Sequence, residues 1–140
     1  MDGLHKLQAT FPNAQLIICT NKPQDLARSL VEKSDLAKIF PRHAVTGAVT
    51  GSPQKPDPNH ILRAVDEFVR GAMLDPERTI VVGDGANDII AAHELNCRSI
   101  AVTYGFSDAA VLSSFRPTAV VDTFDEVVKL IIDWIKATDK

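Results

Sequence analysis

The chain has 140 residues, is 45% apolar and 24% charged, and carries a net charge of −3 with no basic cluster. That composition is globular, with room for one domain and its core but not for two comfortable ones. It argues against a nucleic-acid or acidic-membrane partner, and no apolar run is long enough for a membrane span. The N-terminal residues do not read as a signal peptide, and Cys19 and Cys97 lack CxxC spacing. Two reduced thiols in a cytoplasmic protein are the expectation.

Residues 1–10 place Leu4 and Leu7, with Phe11, on one helical face, and Pro12-Asn13 turns the chain. The run from Gln15 to Thr20 reads as a buried strand that ends on Thr20-Asn21. Pro23 opens a helix to about Lys33, with Leu26, Leu30 and Val31 inward. A weaker strand over His43–Val49 precedes the loop Thr50-Gly51-Ser52-Pro53. In Lys55-Pro56-Asp57-Pro58, Asp57 suits a helix N-cap and Pro58 the first helical position. Ile61, Leu62, Val65, Phe68 and Val69 then form an apolar stripe that Gly71 can end.

Thr79-Ile80-Val81-Val82 is a run of β-branched residues, the pattern of a strand buried on both faces. It breaks into Gly83-Asp84-Gly85-Ala86-Asn87-Asp88, and a helix runs on to about Leu95. A strand over Ser99–Thr103, a loop or short helix over Ser107–Phe115, and a short strand at Ala119-Val120-Val121 follow. Thr123 and Glu126 make a capping box for a last helix with Val127, Leu130, Ile131 and Trp134 inward. Strands and helices alternate throughout. The expected fold is therefore α/β, a three-layer Rossmann-like core with a mostly parallel sheet.

In such a fold the polar turns after buried strands gather at the carboxyl edge of the sheet. Asp84 and Asp88, four residues apart on one turn, offer hard oxygen ligands that suit Mg²⁺. An ordinary strand-to-helix turn, with Asp84 capping the helix and Asp88 solvated, fits the same stretch. Thr20 could simply end its strand, and Lys55 could be a solvated loop lysine. Together, however, a hydroxyl, a cation and an acid pair are an inventory for holding a phosphoryl group.

These residues resemble the haloacid dehalogenase superfamily of phosphatases. The strand ending in Thr20-Asn21 is similar to its second motif, Lys55 in Lys-Pro-Asp-Pro to its third, and Gly83 to Asp88 to its fourth. Val102-Thr103-Tyr104-Gly105-Phe106 is similar to phosphoglycolate phosphatase-like members. The resemblance implies that Thr20 and Asn21 bind phosphoryl oxygens and that Lys55 neutralises the charge of phosphate and attacking carboxylate. It assigns Thr20 and Lys55 to catalysis and gives Asp84 and Asp88 to a weakly held Mg²⁺. The implied ligand is a small phosphorylated metabolite or inorganic phosphate.

The sequence departs from the family at one point. The family's chemistry starts on an Asp-x-Asp motif that ends its first strand, and no Asp-x-Asp occurs here. The cap domain that often follows that motif has no counterpart, and the interval from Thr20 to Lys55 is too short for one. The chain is therefore expected to be the C-terminal two-thirds of a phosphatase core with negligible turnover alone. The alternatives are a non-catalytic phosphate- and Mg²⁺-binding regulatory module, or one chain of a split enzyme. The resemblance puts the absent strand between the Thr20 and Thr79 strands, which would leave a gap of roughly 10 Å. Direct pairing of those two strands across the gap is the favoured expectation, with self-association or a strand-donating partner as the other.

Overall fold

The computed structural model of the protein describes residues 1–105 and 108–138. Helix α1 (Asp2–Thr10) leads into strand β1 (Ile18–Pro23), helix α2 (Gln24–Glu32) and strand β2 (Val45–Ala48). Helix α3 (Asn59–Phe68), strand β3 (Ile80–Gly83), helix α4 (Ala86–Glu94) and strand β4 (Arg98–Val102) follow. Helix α5 (Ala109–Ser114), strand β5 (Ala119–Val121) and helix α6 (Phe124–Thr138) come last. Phe106 and Ser107, which belong to two of the expected segments, lie outside the described residues.

Every strand pairing is parallel, β1 with β2 in one sheet and β3-β4-β5 in another. The pleat sorts β4 between two layers. Ile100 and Val102 pack with Val121 and with Val127 of α6, whereas Ala101 packs with Ile89 of α4 and Leu112 of α5. Helices thus cover both faces of this sheet, giving the three-layer, Rossmann-like α/β architecture. A separate core forms around β2, where Val45 meets Ala27 and Val31 of α2 together with Ile39 and Phe40. Glu67 of α3 locks onto the same strand. It accepts a hydrogen bond from the fully buried Thr46 hydroxyl at 2.9 Å and one from Arg63 at 2.9 Å. A buried hydroxyl needs such a partner.

The last helix starts on its sequence signal, with Thr123 Oγ1 accepting from the Glu126 N–H at 3.2 Å. Helix α3 starts one residue later than expected, with Pro58 as its N-cap and Asn59 first, although Asp57 Oδ1 does accept from the Asn59 N–H at 2.9 Å. Five expectations are corrected. Strand β1 is Ile18–Pro23 rather than Gln15–Thr20, because its ladder begins where Ile18 meets Val45 and runs on until Pro23 meets Ala48. Leu26 and Leu30 are half exposed, and α2 turns Ala27 and Val31 inward instead. The small face wins because the chain packs closely there: a Cβ on Gly47 of β2 would overlap the Gln24 backbone at the start of α2. Likewise Leu62 and Val69 leave the α3 stripe for the surface, and His60 and Ala64 join Ile61 inside.

The last two corrections matter most. Strand β3 is not buried on both faces: Val82 is 38% exposed. Nor do β1 and β3 pair, since they belong to separate sheets and no backbone hydrogen bond between them occurs among the described residues. A cavity of about 680 Å³ lies between them, lined by Leu16, Ile17 and Cys19 on one side and Ile80, Val81 and Val82 on the other. The expected closure assumed that unpaired strand groups would be buried and so cost about 1–3 kcal/mol each. The groove is open, so those groups face solvent and that penalty does not arise.

Helix packing also spaces the two halves. Gly3 of α1 lies so close to Phe124 and Val128 of α6 that a Cβ there would overlap both side chains. On its other side α1 contributes Leu4 to the core around β2. Gly3→Leu is expected to lower stability by about 1–3 kcal/mol through overpacking, read as a lower urea midpoint. An unchanged midpoint would show that α1 does not hold the halves together in solution.

Candidate active site

Strand β1 carries Thr20 and Asn21 in its middle, and the turn after β3 delivers Asp84, with Asp88 in the first turn of α4. Lys55, on the loop before α3, lies between them. Its Nζ donates to the Cys19 carbonyl at 2.6 Å and to Asp88 Oδ1, an ion pair in which the lysine is 9% and the aspartate 15% exposed. A lysine is seldom this buried unless it is paired. The structure therefore brings Lys55, Asp88 and the Cys19 carbonyl of β1 together across the groove.

Several bonds hold this lysine in place. Its N–H donates to His60 Nδ1 at 3.1 Å, and its carbonyl accepts from Asn21 Nδ2 at 2.8 Å. His60 is fully buried, and its Nε2 lies 3.3 Å from the Gly47 carbonyl. Accepting at Nδ1 leaves the proton on Nε2 for that carbonyl, so the neutral ring spans the two contacts. Asn21 Oδ1 is buried without a hydrogen-bond partner. Thr20 Oγ1 accepts from the Lys22 N–H at 3.2 Å, which leaves its own proton to donate elsewhere.

The two carboxylates rest on different neighbours. Asp88 lies over Gly83 and Asp84 against Gly105, and a Cβ at either glycine would overlap the acid. Their close approach explains a glycine at each position. The plain strand-to-helix reading does not describe this turn. Gly85 is the N-cap of α4 with no side-chain capping bond, and Asp88 is paired rather than solvated.

Mg²⁺ would need more than these residues give. Among the described residues no three His, Cys, Asp or Glu side chains cluster to hold a metal, and one of the two acids is already engaged by Lys55. The donor set present does not fit a complete Mg²⁺ site.

Sequence reasoning missed His60. Its signal was available in hindsight: a polar residue on the inward stripe of α3, five positions after Lys55. Cys19, expected in a buried strand, is only partly buried. Burial pushes it up to about 11, with the Lys55 charge opposing, and its Sγ lies 3.7 Å from the His60 carbonyl. Such a thiol is not a nucleophile at neutral pH.

A buried cation and acid facing each other at the carboxyl edge of parallel strands place the chain among Rossmann-like α/β proteins with a charged edge site. The chain belongs to the haloacid dehalogenase-like hydrolases, whose family model matches residues 3–96. It is 39% identical over 109 residues to a phosphoglycolate phosphatase of Agrobacterium fabrum, covering 78% of this chain and 44% of that one. Against a phosphoglycolate phosphatase of Vibrio cholerae the identity is 28%, over 91% of this chain and 59% of the relative. A crystal structure of a predicted phosphatase from Clostridium acetobutylicum superposes with a TM-score of 0.80 at 26% identity. That superposition covers 94% of this chain and 57% of the other. The chain spans about half the length of the curated relatives it matches.

Two expectations follow from the geometry. Lys55→Met removes one member of a buried ion pair that bridges the groove, so stability should fall by about 3 kcal/mol in denaturant titration. A loss below about 0.5 kcal/mol would mean the pair contributes as little as a surface salt bridge.

The second concerns pH. Burial, followed by the Arg63 and Lys55 charges, holds His60 below its usual range. Above about pH 6.5 the ring is neutral in folded and unfolded chains, and its contribution to stability is fully present. As pH falls from there the unfolded chain takes up the proton first, so stability is lost until the folded ring protonates as well. Between pH 7 and 5 the melting temperature should fall further for the native protein than for His60→Gln. Parallel pH profiles would contradict this.

Proposed function

We propose that the chain is the phosphate-holding portion of a cytoplasmic small-molecule phosphomonoesterase of the phosphoglycolate phosphatase type. The observation that supports this most directly is Lys55 Nζ, buried at the carboxyl edge between the Cys19 carbonyl and Asp88. Thr20 keeps a hydroxyl proton to donate at the same edge. Lys55 supplies the positive charge that a phosphoryl dianion requires, and Thr20 and Asn21 flank it. The names of the relatives point to the same class of substrate.

The groups present stabilise charge; none attacks phosphorus. Cys19 is a partly buried, protonated thiol, and Thr20 has no base hydrogen-bonded to its hydroxyl among the described residues. Asp84 and Asp88 carry the acidic character of the site, and in this arrangement they hold Mg²⁺ only weakly. Because covalent catalysis needs its nucleophile, the isolated chain should turn over negligibly.

The test is hydrolysis of phosphoglycolate and p-nitrophenyl phosphate by the purified chain, with calorimetry of Mg²⁺ alongside. The expected results are no release of phosphate above buffer, no effect of Asp84→Asn, and no saturation by Mg²⁺ below about 1 mM. Clear turnover abolished by Asp84→Asn would mean that a residue of this chain replaces the nucleophile. Tight Mg²⁺ binding would mean that the carboxylates rearrange to complete a metal site.

A further inference from the structure

At the amino end of β2, away from the edge that carries Lys55, three separate elements bring basic side chains to one cavity of about 310 Å³. Arg28 comes from α2, His43 from the turn that leads into β2, and Arg70 from the turn after α3. Asp66 and Glu67 of α3 complete its wall. None of these five residues has a part in the phosphate-holding role.

Each basic group is fixed in place while most of its donors stay unused. Arg28 Nε donates to the Val45 carbonyl at 3.0 Å, and one of its terminal nitrogens lies 3.6 Å from Glu67 Oε2. The side chain is only 17% exposed, and its remaining N–H groups have no acceptor within hydrogen-bond distance among the described residues. His43 stacks on Phe68 with ring centroids 5.3 Å apart, and neither of its ring nitrogens has a hydrogen-bond partner among the described residues. Arg70 is held through its backbone. The Ala72 N–H donates to the Val69 carbonyl at 2.9 Å, and the Gly71 N–H donates to Asp66 Oδ1 at 2.9 Å. The Arg70 guanidinium itself has no partner among the described residues.

The acids, by contrast, are mostly spent. Glu67 Oε2 accepts from the Thr46 hydroxyl at 2.9 Å and Oε1 from Arg63 at 2.9 Å, in addition to the Arg28 ion pair. Asp66 gives one oxygen to Gly71. A cation would find little more than the other Asp66 oxygen, whereas an anion would find two guanidinium forks and an imidazole. A guanidinium offers parallel N–H groups that suit the paired oxygens of a carboxylate or phosphate, a match that a spherical ion cannot make.

We infer that this cavity is a binding site for a small oxyanion, a carboxylate or a phosphate, gripped between Arg28 and Arg70 with His43 beside it. The Asp66 carboxylate opposes the ligand's charge, so the affinity is on the order of millimolar. The site does not rest on the phosphatase reading, because it shares no residue with the Lys55 edge.

The experiment uses the intact 140-residue chain, isotopically labelled, and follows the arginine Nε–H signals by NMR as sodium phosphate or sodium acetate is added. The signals of Arg28 and Arg70 should shift together and saturate, half-saturated at about 1 mM. Arg70→Ala removes an exposed side chain without a partner. It should weaken the response of Arg28 about tenfold with an unchanged melting temperature. Thr20→Val, at the other edge, should leave both shifts as they are.

Saturation by phosphate alone, or by acetate alone, would support the site and fix which oxyanion it takes. Shifts that only grow linearly, or that sodium chloride reproduces, would overturn it, because they report screening of surface charge. An unchanged affinity in Arg70→Ala would overturn the two-guanidinium grip. Phosphate that moves signals at Thr20 and Lys55 but not at Arg28 would refute this site and leave the phosphatase reading standing.

Discussion

One ion pair carries more of this structure than its size suggests. Lys55 belongs to the half built on β1 and β2, and Asp88 belongs to the half built on β3, β4 and β5. No ladder joins these halves among the described residues, so the lysine reaches from the Cys19 carbonyl across the mouth of the groove to the acid. Burying an ammonium is unfavourable unless it gains close, well-aligned partners. Here it has an anion and a carbonyl, while His60 and Asn21 fix the backbone on either side of it. The opposite side of the junction is apolar, where α1 lies against α6. Charge at one end and close packing at the other keep the strands apart yet aligned.

That arrangement explains why the two sheets do not merge. Bringing β1 against β3 would satisfy their free backbone groups, which is the argument for closure. The halves are already in close contact elsewhere, where one carbon added to Gly3 of α1 would overlap Phe124 and Val128 of α6. Interiors packed to crystal density resist such movement. Open backbone groups, by contrast, lose little when water can reach them. The balance favours an open groove, and Val82 remains half exposed as a result.

The alternation of elements was legible in the sequence because apolar runs and capping residues act locally. Thr123 with Glu126, Asp57 before α3, and the glycine-rich turn after Val82 each make the bond or turn their chemistry predicts. The edge site was legible too, since parallel topology sends the ends of β1 and β3 to the same side. What was not legible depends on partners distant in sequence. Ile80 to Val82 look like a fully buried strand because β-branched residues suit one, but burial requires a neighbour on both edges. Leu26 and Leu30 are the larger apolar residues of α2, yet Gly47 lets the helix approach on its alanine face. His60 sits on an apolar stripe, and only the fold shows that its ring supports Lys55.

Lys55 also sets the charge that this edge presents. Its ammonium now serves two acceptors, the Cys19 carbonyl and Asp88. An incoming phosphoryl group must compete with Asp88 for the same positive charge, and the like charge of that carboxylate opposes it. An ammonium has three N–H donors, and these two acceptors take two of them. The third can meet an anion while the Cys19 and Asp88 contacts stay in place, so the site can hold a phosphoryl oxygen without undoing the bridge between the two halves.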